Sequence, residues 1–99
     1  YGVPVEEIVE GIKNGVRKVN IDTDLRLAST GAIRRFLAEN PAEFDPRKYF
    51  KVSMDAMKQL CVERYLAFGC EGQASKIKPI SLEKMADAYA KGQLNQIVK

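Results

Sequence analysis

The run Val16-Arg17-Lys18-Val19-Asn20-Ile21 constrains this chain more than any other segment. It is β-branched and bounded by Gly15 before and Asp22-Thr23-Asp24 after, which predicts a strand of about five residues. No other segment reads as a convincing strand. One strand cannot satisfy its own backbone N–H and C=O groups, so its sheet partners must come from outside this sequence.

The rest of the chain reads as helix. Val5, Ile8, Val9 and Ile12 form an apolar stripe behind Pro4, with Glu6 and Glu7 at the positive end of the dipole. Asn14-Gly15 stops that helix, and Gly11 inside it implies close packing against a neighbour. Asp22 or Thr23 is expected to cap a second helix running to about Asn40, with Leu25, Ala28, Ala32, Ile33, Phe36 and Leu37 on its buried face. Asp45-Pro46 starts a third helix, to about Phe68, with a stripe of Phe50, Met54, Met57, Cys61, Tyr65 and Phe68 expected to pack as core or interface. Residues 69–78 read as a loop. Ser81 caps a last helix closed by Gly92, and 93–99 carries no clear signal. Helix, strand, helix with tight connections is the grammar of an α/β fold.

Composition narrows the function. Hydrophobic residues make up 45% and charged residues 29%, a globular balance that excludes a disordered tail or a disulfide scaffold. The apolar runs are too short for a membrane span. There is no histidine, so within this chain a histidine-bound metal, a Ser–His–Asp triad and an imidazole proton shuttle are all excluded. The net charge of +3 is mild, and the basic residues are scattered among acids, which argues against a nucleic-acid stripe. Cys61 and Cys70 lack metal or CxxC spacing and read as free thiols of a reducing compartment. The sequence begins at Tyr1 rather than methionine, and a piece of a longer or processed polypeptide is expected.

Chemistry concentrates where the predicted strand meets its helix. Alternation places Asn20 and Asp22 on one face, at the carboxyl end where open sheets and barrels bind ligands. Thr23 and the first helical amides suit an anion, and Arg26 one turn on adds a charged fork. Amide, carboxylate, hydroxyl and guanidinium together suit a phosphorylated, polyhydroxylated molecule. A capped helix with a surface arginine accounts for the same residues. Asp45-Pro46-Arg47 likewise reads as a helix start whose arginine is left for a partner.

Three stretches carry a resemblance: Tyr1 to Ile8, Gly11 to Arg26 (Gly-Ile-Lys-Asn-Gly-Val-Arg-Lys-Val-Asn-Ile-Asp-Thr-Asp-Leu-Arg) and Phe44 to Tyr49 (Phe-Asp-Pro-Arg-Lys-Tyr). With Gly72-Gln73-Ala74 and Ile77-Lys78-Pro79, they resemble the C-terminal part of class II fructose-1,6-bisphosphate aldolase, type B branch, over essentially the whole chain. That resemblance implies an α/β fold, the C-terminal piece of a (β/α)8 TIM barrel. Residues 1–40 would be its last helix–strand–helix part, and 41–99 a C-terminal helical arm that helps build a homo-oligomer. The piece itself would be mainly α with one short strand.

The resemblance also implies reversible cleavage of fructose 1,6-bisphosphate to dihydroxyacetone phosphate and glyceraldehyde 3-phosphate by a cytoplasmic zinc enzyme. By the family's pattern Asn20 lies near the enediolate and Asp22 bonds substrate hydroxyls. Thr23 binds the dihydroxyacetone-phosphate end, Arg26 holds the far phosphate, and Arg47 reaches it from the adjacent subunit. Zinc ligands and general base would lie upstream, so the 99 residues alone should not turn over. Other readings left open are a relative acting on a tagatose bisphosphate, and a small helical binding or structural module without catalysis. No nucleic-acid or membrane partner is expected.

Overall fold

The computed structural model describes residues 2–93. Tyr1 and the end of the expected C-terminal arm, 94–99, lie outside the described residues. Four α-helices follow one another: α1 (Val5–Lys13), α2 (Thr23–Glu39), α3 (Pro46–Ala67) and α4 (Leu82–Ala90), with a single 3-10 turn at Ala74–Lys76 inside the expected loop. The helix ends fall within a residue or two of the sequence reading because capping chemistry is local. Asp45 precedes Pro46 and accepts from the Arg47 amide at 3.0 Å, and Ser81 Oγ accepts from the Lys84 amide at 3.3 Å.

α1 ends as its sequence requires. Gly15 takes φ +109, and the chain turns back so that the amides of Gly15 and Val16 donate to the carbonyls of Ile12 and Gly11. The same turn presses Val16 onto α1, where a Cβ on Gly11 would stand 3.3 Å from Val16 Cγ2. That is the close neighbour Gly11 implied.

The predicted strand is not formed among the described residues. Residues 16–22 belong to no helix or strand, and among the described residues no backbone hydrogen bond ties 17–21 to another segment. The reason is the one that made the segment conspicuous: a ladder needs a second strand, and the described chain supplies none. The coarse expectation stands, since the structure is mainly helical.

Packing centres on α2 and α3, the one substantial helix–helix contact among the described residues. They run antiparallel: Ser29 Oγ and Ser53 Oγ share a 2.6 Å hydrogen bond, and Asp24 near the start of α2 meets Arg64 near the end of α3. The α2 face is the expected one, for Leu25, Ala28, Ala32, Ile33, Phe36 and Leu37 are all half-buried. The α3 stripe divides into an enclosed and an exposed part. Met57, Cys61 and Phe68 are half-buried, but Phe50, Met54 and Tyr65 are 54–68% exposed. Ser53 is buried, and Val52, Ala56 and Leu60 are half-buried beside it, as Met57 and Cys61 are. Small side chains at this row let the helix axes approach, which bulky Met54 and Tyr65 would prevent.

No hydrophobic residue among those described is fully buried, and Ser53 alone is buried. The chain exposes 8699 Å², where a self-contained monomer of its mass would expose about 5,700 Å². Its radius of gyration is 20.0 Å against about 13 Å for a compact domain of this length. Val16, Val19, Ile21 and Leu25 line an open apolar groove against Leu60 and Tyr65 of α3 and Phe68 just beyond its end.

Two glycines give opposite expectations. Gly15→Ala should destabilise the chain by about 1–2 kcal/mol, because an alanine would have to hold a left-handed conformation. Gly31→Ala, in mid-α2 with open space around its Cα, should stabilise by up to about 1 kcal/mol through helix propensity. Urea melts of the two variants beside the parent chain check both signs.

Candidate functional site

Asn20, Asp22 and Thr23 come together on one groove at the start of α2. Its opposite wall is α1, through Glu7 and Ile8, and Arg64 reaches it from α3. Asn20, Asp22 and Thr23 are all exposed, so their polar groups face solvent. The first-turn amides of α2, like those of any helix, have no carbonyl one turn earlier to bond. Amides and dipole therefore favour an anion at this end.

Asp22 stands at the N-cap, as expected, but its side chain caps nothing. Its backbone is at φ −135, ψ −63, outside the extended region from which a cap side chain usually reaches back. Its carboxylate instead accepts from Arg26 Nε at 2.8 Å, one turn along the helix. Both side chains are well exposed, so the pair is a solvated one of little value to stability. Its use is orientational. Arg26 is drawn to the head of α2, and among the described residues its terminal nitrogens make no protein hydrogen bond. The groove thus offers the amide of Asn20, the carboxylate of Asp22 and the hydroxyl of Thr23, whereas Arg26 does not line it and is tied to it only through Asp22.

Arg47 is not part of this cluster. It lies at the head of α3, and in the antiparallel pair that end adjoins the far end of α2. The 17 residues of α2 put the two sites about 25 Å apart, beyond the reach of one arginine. Arg47 is 90% exposed and folds onto Asp45, with Nε 3.0 and 3.1 Å from the two carboxylate oxygens and Nη2 at 2.7 Å. The Arg47 hydrogen bonds hold the Asp45 carboxyl below its ordinary value, and Asp45 raises Arg47 in return. Beside them, Lys48 Nζ lies 2.7 Å from Glu43, which lowers the Glu43 carboxyl and raises Lys48.

Sequence reasoning missed Arg64 and Asp24, whose partly buried side chains meet at 3.4 Å between α3 and α2. A signal was present: Arg64 puts a cation next to the apolar positions Leu60, Cys61 and Phe68 of α3. Among the described residues no group of three or more His, Cys, Asp or Glu could hold a metal ion. The donor set of this chain therefore does not fit the zinc that the family resemblance implies. No helix among the described residues is long and apolar enough to cross a membrane.

A family model for class-II fructose-bisphosphate aldolase matches residues 1–73. The chain belongs to the class II fructose-bisphosphate aldolase family. It is 75% identical over 95 residues to a fructose-bisphosphate aldolase of Pseudomonas aeruginosa, covering 96% of this chain and 27% of that protein. It is 64% identical over all 99 residues to a fructose-bisphosphate aldolase of a Nostoc species, of which it covers 28%. A third relative, fructose-bisphosphate aldolase 2 of Rhodobacter capsulatus, is 62% identical over 94 residues, or 95% of this chain and 82% of that sequence. The chain thus spans little more than a quarter of the length of the first two relatives and corresponds to their C-terminal portion.

The head of α3 generates a pH expectation. Glu43 and Asp45 are depressed below their ordinary values of 4.5 and 3.8. Their contribution to stability is therefore complete above the ordinary range and is lost as the pH falls through the lower folded values. The midpoint temperature of this chain should be flat between pH 7 and about 5 and fall below about 4. A Glu43→Gln, Asp45→Asn variant should show less of that fall. Circular dichroism melts from pH 2 to 7 make the comparison.

Proposed function

We propose that these residues form the substrate-binding C-terminal part of an enzyme that reversibly cleaves fructose 1,6-bisphosphate to dihydroxyacetone phosphate and glyceraldehyde 3-phosphate. The observation that carries this reading is the gathering of Asn20, Asp22 and Thr23 on one exposed groove at a helix N-terminus. Arg26, which does not line the groove, is joined to it by its ion pair with Asp22.

In this reading Thr23 and the α2 amides bind the dihydroxyacetone-phosphate end, where the dipole favours a dianion. Asp22 accepts hydrogen bonds from substrate hydroxyls, and Arg26 forks onto the far phosphate. Asn20 bonds the oxygen that carries developing enediolate charge. The exposure of Asp22 and Arg26 is consistent with groups that exchange each other for a ligand.

The zinc site and the general base belong to the remainder of the polypeptide. That remainder would also supply the strands that residues 16–21 lack, closing a (β/α)8 barrel. Arg47, far from the groove of its own chain, serves the groove of a neighbouring subunit. The exposed row Phe50, Met54 and Tyr65 on α3 supplies apolar surface for that homo-oligomer. The reaction belongs to sugar-phosphate metabolism of the cytoplasm.

Two measurements on the full-length polypeptide test the assignment. Asp22→Ala should lower kcat/KM for fructose 1,6-bisphosphate by about 10²-fold or more, with metal content unchanged. Wild-type kinetics would remove Asp22 from the site. Arg47→Ala should raise KM, and mixed oligomers of Arg47→Ala with Asp22→Ala subunits should recover activity, since some sites then hold both native residues. No recovery on mixing would place Arg47 in the groove of its own subunit or outside the reaction.

A further inference from the structure

The turn that carries Asn20, Asp22 and Thr23 has little local support. Among the described residues no backbone hydrogen bond anchors 17–21 to another segment, and the Asp22 side chain bonds Arg26 rather than the helix amides. Beside the apolar side chains Leu60 and Tyr65, α3 brings one charged group to this turn, Arg64. Its Nη2 lies 3.4 Å from Asp24 Oδ2, across 40 residues of sequence. The side chains are 20% and 24% exposed, the most enclosed ion pair among the described residues. Every other pair there joins residues no more than five apart and leaves at least one partner largely in solvent.

Position gives this pair its meaning. Asp24 is the second residue of α2, directly after Thr23 and two after Asp22. Arg64 lies near the end of α3 and lines the same groove as Asn20, Asp22 and Thr23. A partly desolvated ion pair resists being broken, because the Arg64 guanidinium would be left enclosed without the carboxylate it meets. A shift of the first turn of α2 would pull Asp24 away from Arg64 and carry Asp22 and Thr23 with it.

We infer that Arg64 is a positioning residue for substrate binding, acting through Asp24 to fix the first turn of α2, so that α3 belongs to the binding machinery as well as to the helix pair. The inference rests on the aldolase reading of the groove. Its action is on placement of the phosphate- and hydroxyl-binding groups, so its loss should be felt mainly in KM.

The test compares Arg64→Met, Arg64→Lys, Asp24→Asn and the Arg64→Met, Asp24→Asn double variant in the full-length, metal-loaded enzyme. Arg64→Met should raise KM for fructose 1,6-bisphosphate about 10-fold with a smaller change in kcat, since a small misplacement of binding groups is costly. Arg64→Lys keeps the charge and should recover most of that loss. The double variant should be no worse than the stronger single one, because both break the same link. Amide hydrogen exchange over 17–26 should quicken about 10-fold in Arg64→Met and not in Arg64→Lys. The inference is overturned if KM and exchange in Arg64→Met stay within about twofold of the parent. It is equally overturned if only the melting temperature falls while KM, assayed well below it, is unchanged. Should the parent enzyme itself fail to cleave the bisphosphate, the aldolase reading fails, and the exchange data alone then decide whether Arg64 orders the turn.

Discussion

The antiparallel contact between α2 and α3 is what the rest of the described chain depends on. Two cross-helix bonds mark its register, Ser29 to Ser53 near the middle and Asp24 to Arg64 near one end. Ser53 is the most enclosed residue described, and a buried hydroxyl needs a partner. Ser29 supplies it, so sliding the helices by a turn would cost both the hydrogen bond and the ion pair. Apolar burial alone would not fix the register as firmly, because no hydrophobic side chain here is fully buried.

From that contact the groove follows. α2 is held by α3, and the turn before α2 carries Asn20, Asp22 and Thr23 to one side of it. Gly15 sends the chain back from α1 so that Val16 meets Gly11, which makes α1 the opposite wall. The same arrangement leaves much unfinished: an unpaired backbone run at 17–21, an apolar groove beside it, and bulky side chains of α3 in solvent. In the reading proposed above, these are the surfaces on which the remainder of the polypeptide would pack.

How much was legible in the sequence depended on the range of the interaction involved. The heads of α3 and α4 could be read at Asp45-Pro46 and Ser81, because a cap is satisfied within three residues. The Val16–Ile21 strand could not form, since a ladder requires a partner that no local signal provides. The α3 stripe was legible as core or interface, but period alone does not say which of its residues face α2. At the site, the cluster Asn20, Asp22, Thr23 and Arg26 was visible as a run of seven residues, but Asp22 spends its carboxylate on Arg26 rather than on the helix end.

The sequence by itself determined the helices, the stop at Asn14-Gly15, the exclusion of histidine chemistry and family membership, because these reside in residue identity and in contacts a few positions apart. The tertiary structure decided which face of α3 is covered, that Arg47 stands a helix length away from Asp22, and that Arg64 comes to rest against Asp24. Those outcomes join residues tens of positions apart. Their geometry is set by how two helices pack, and no single stretch of the chain encodes it.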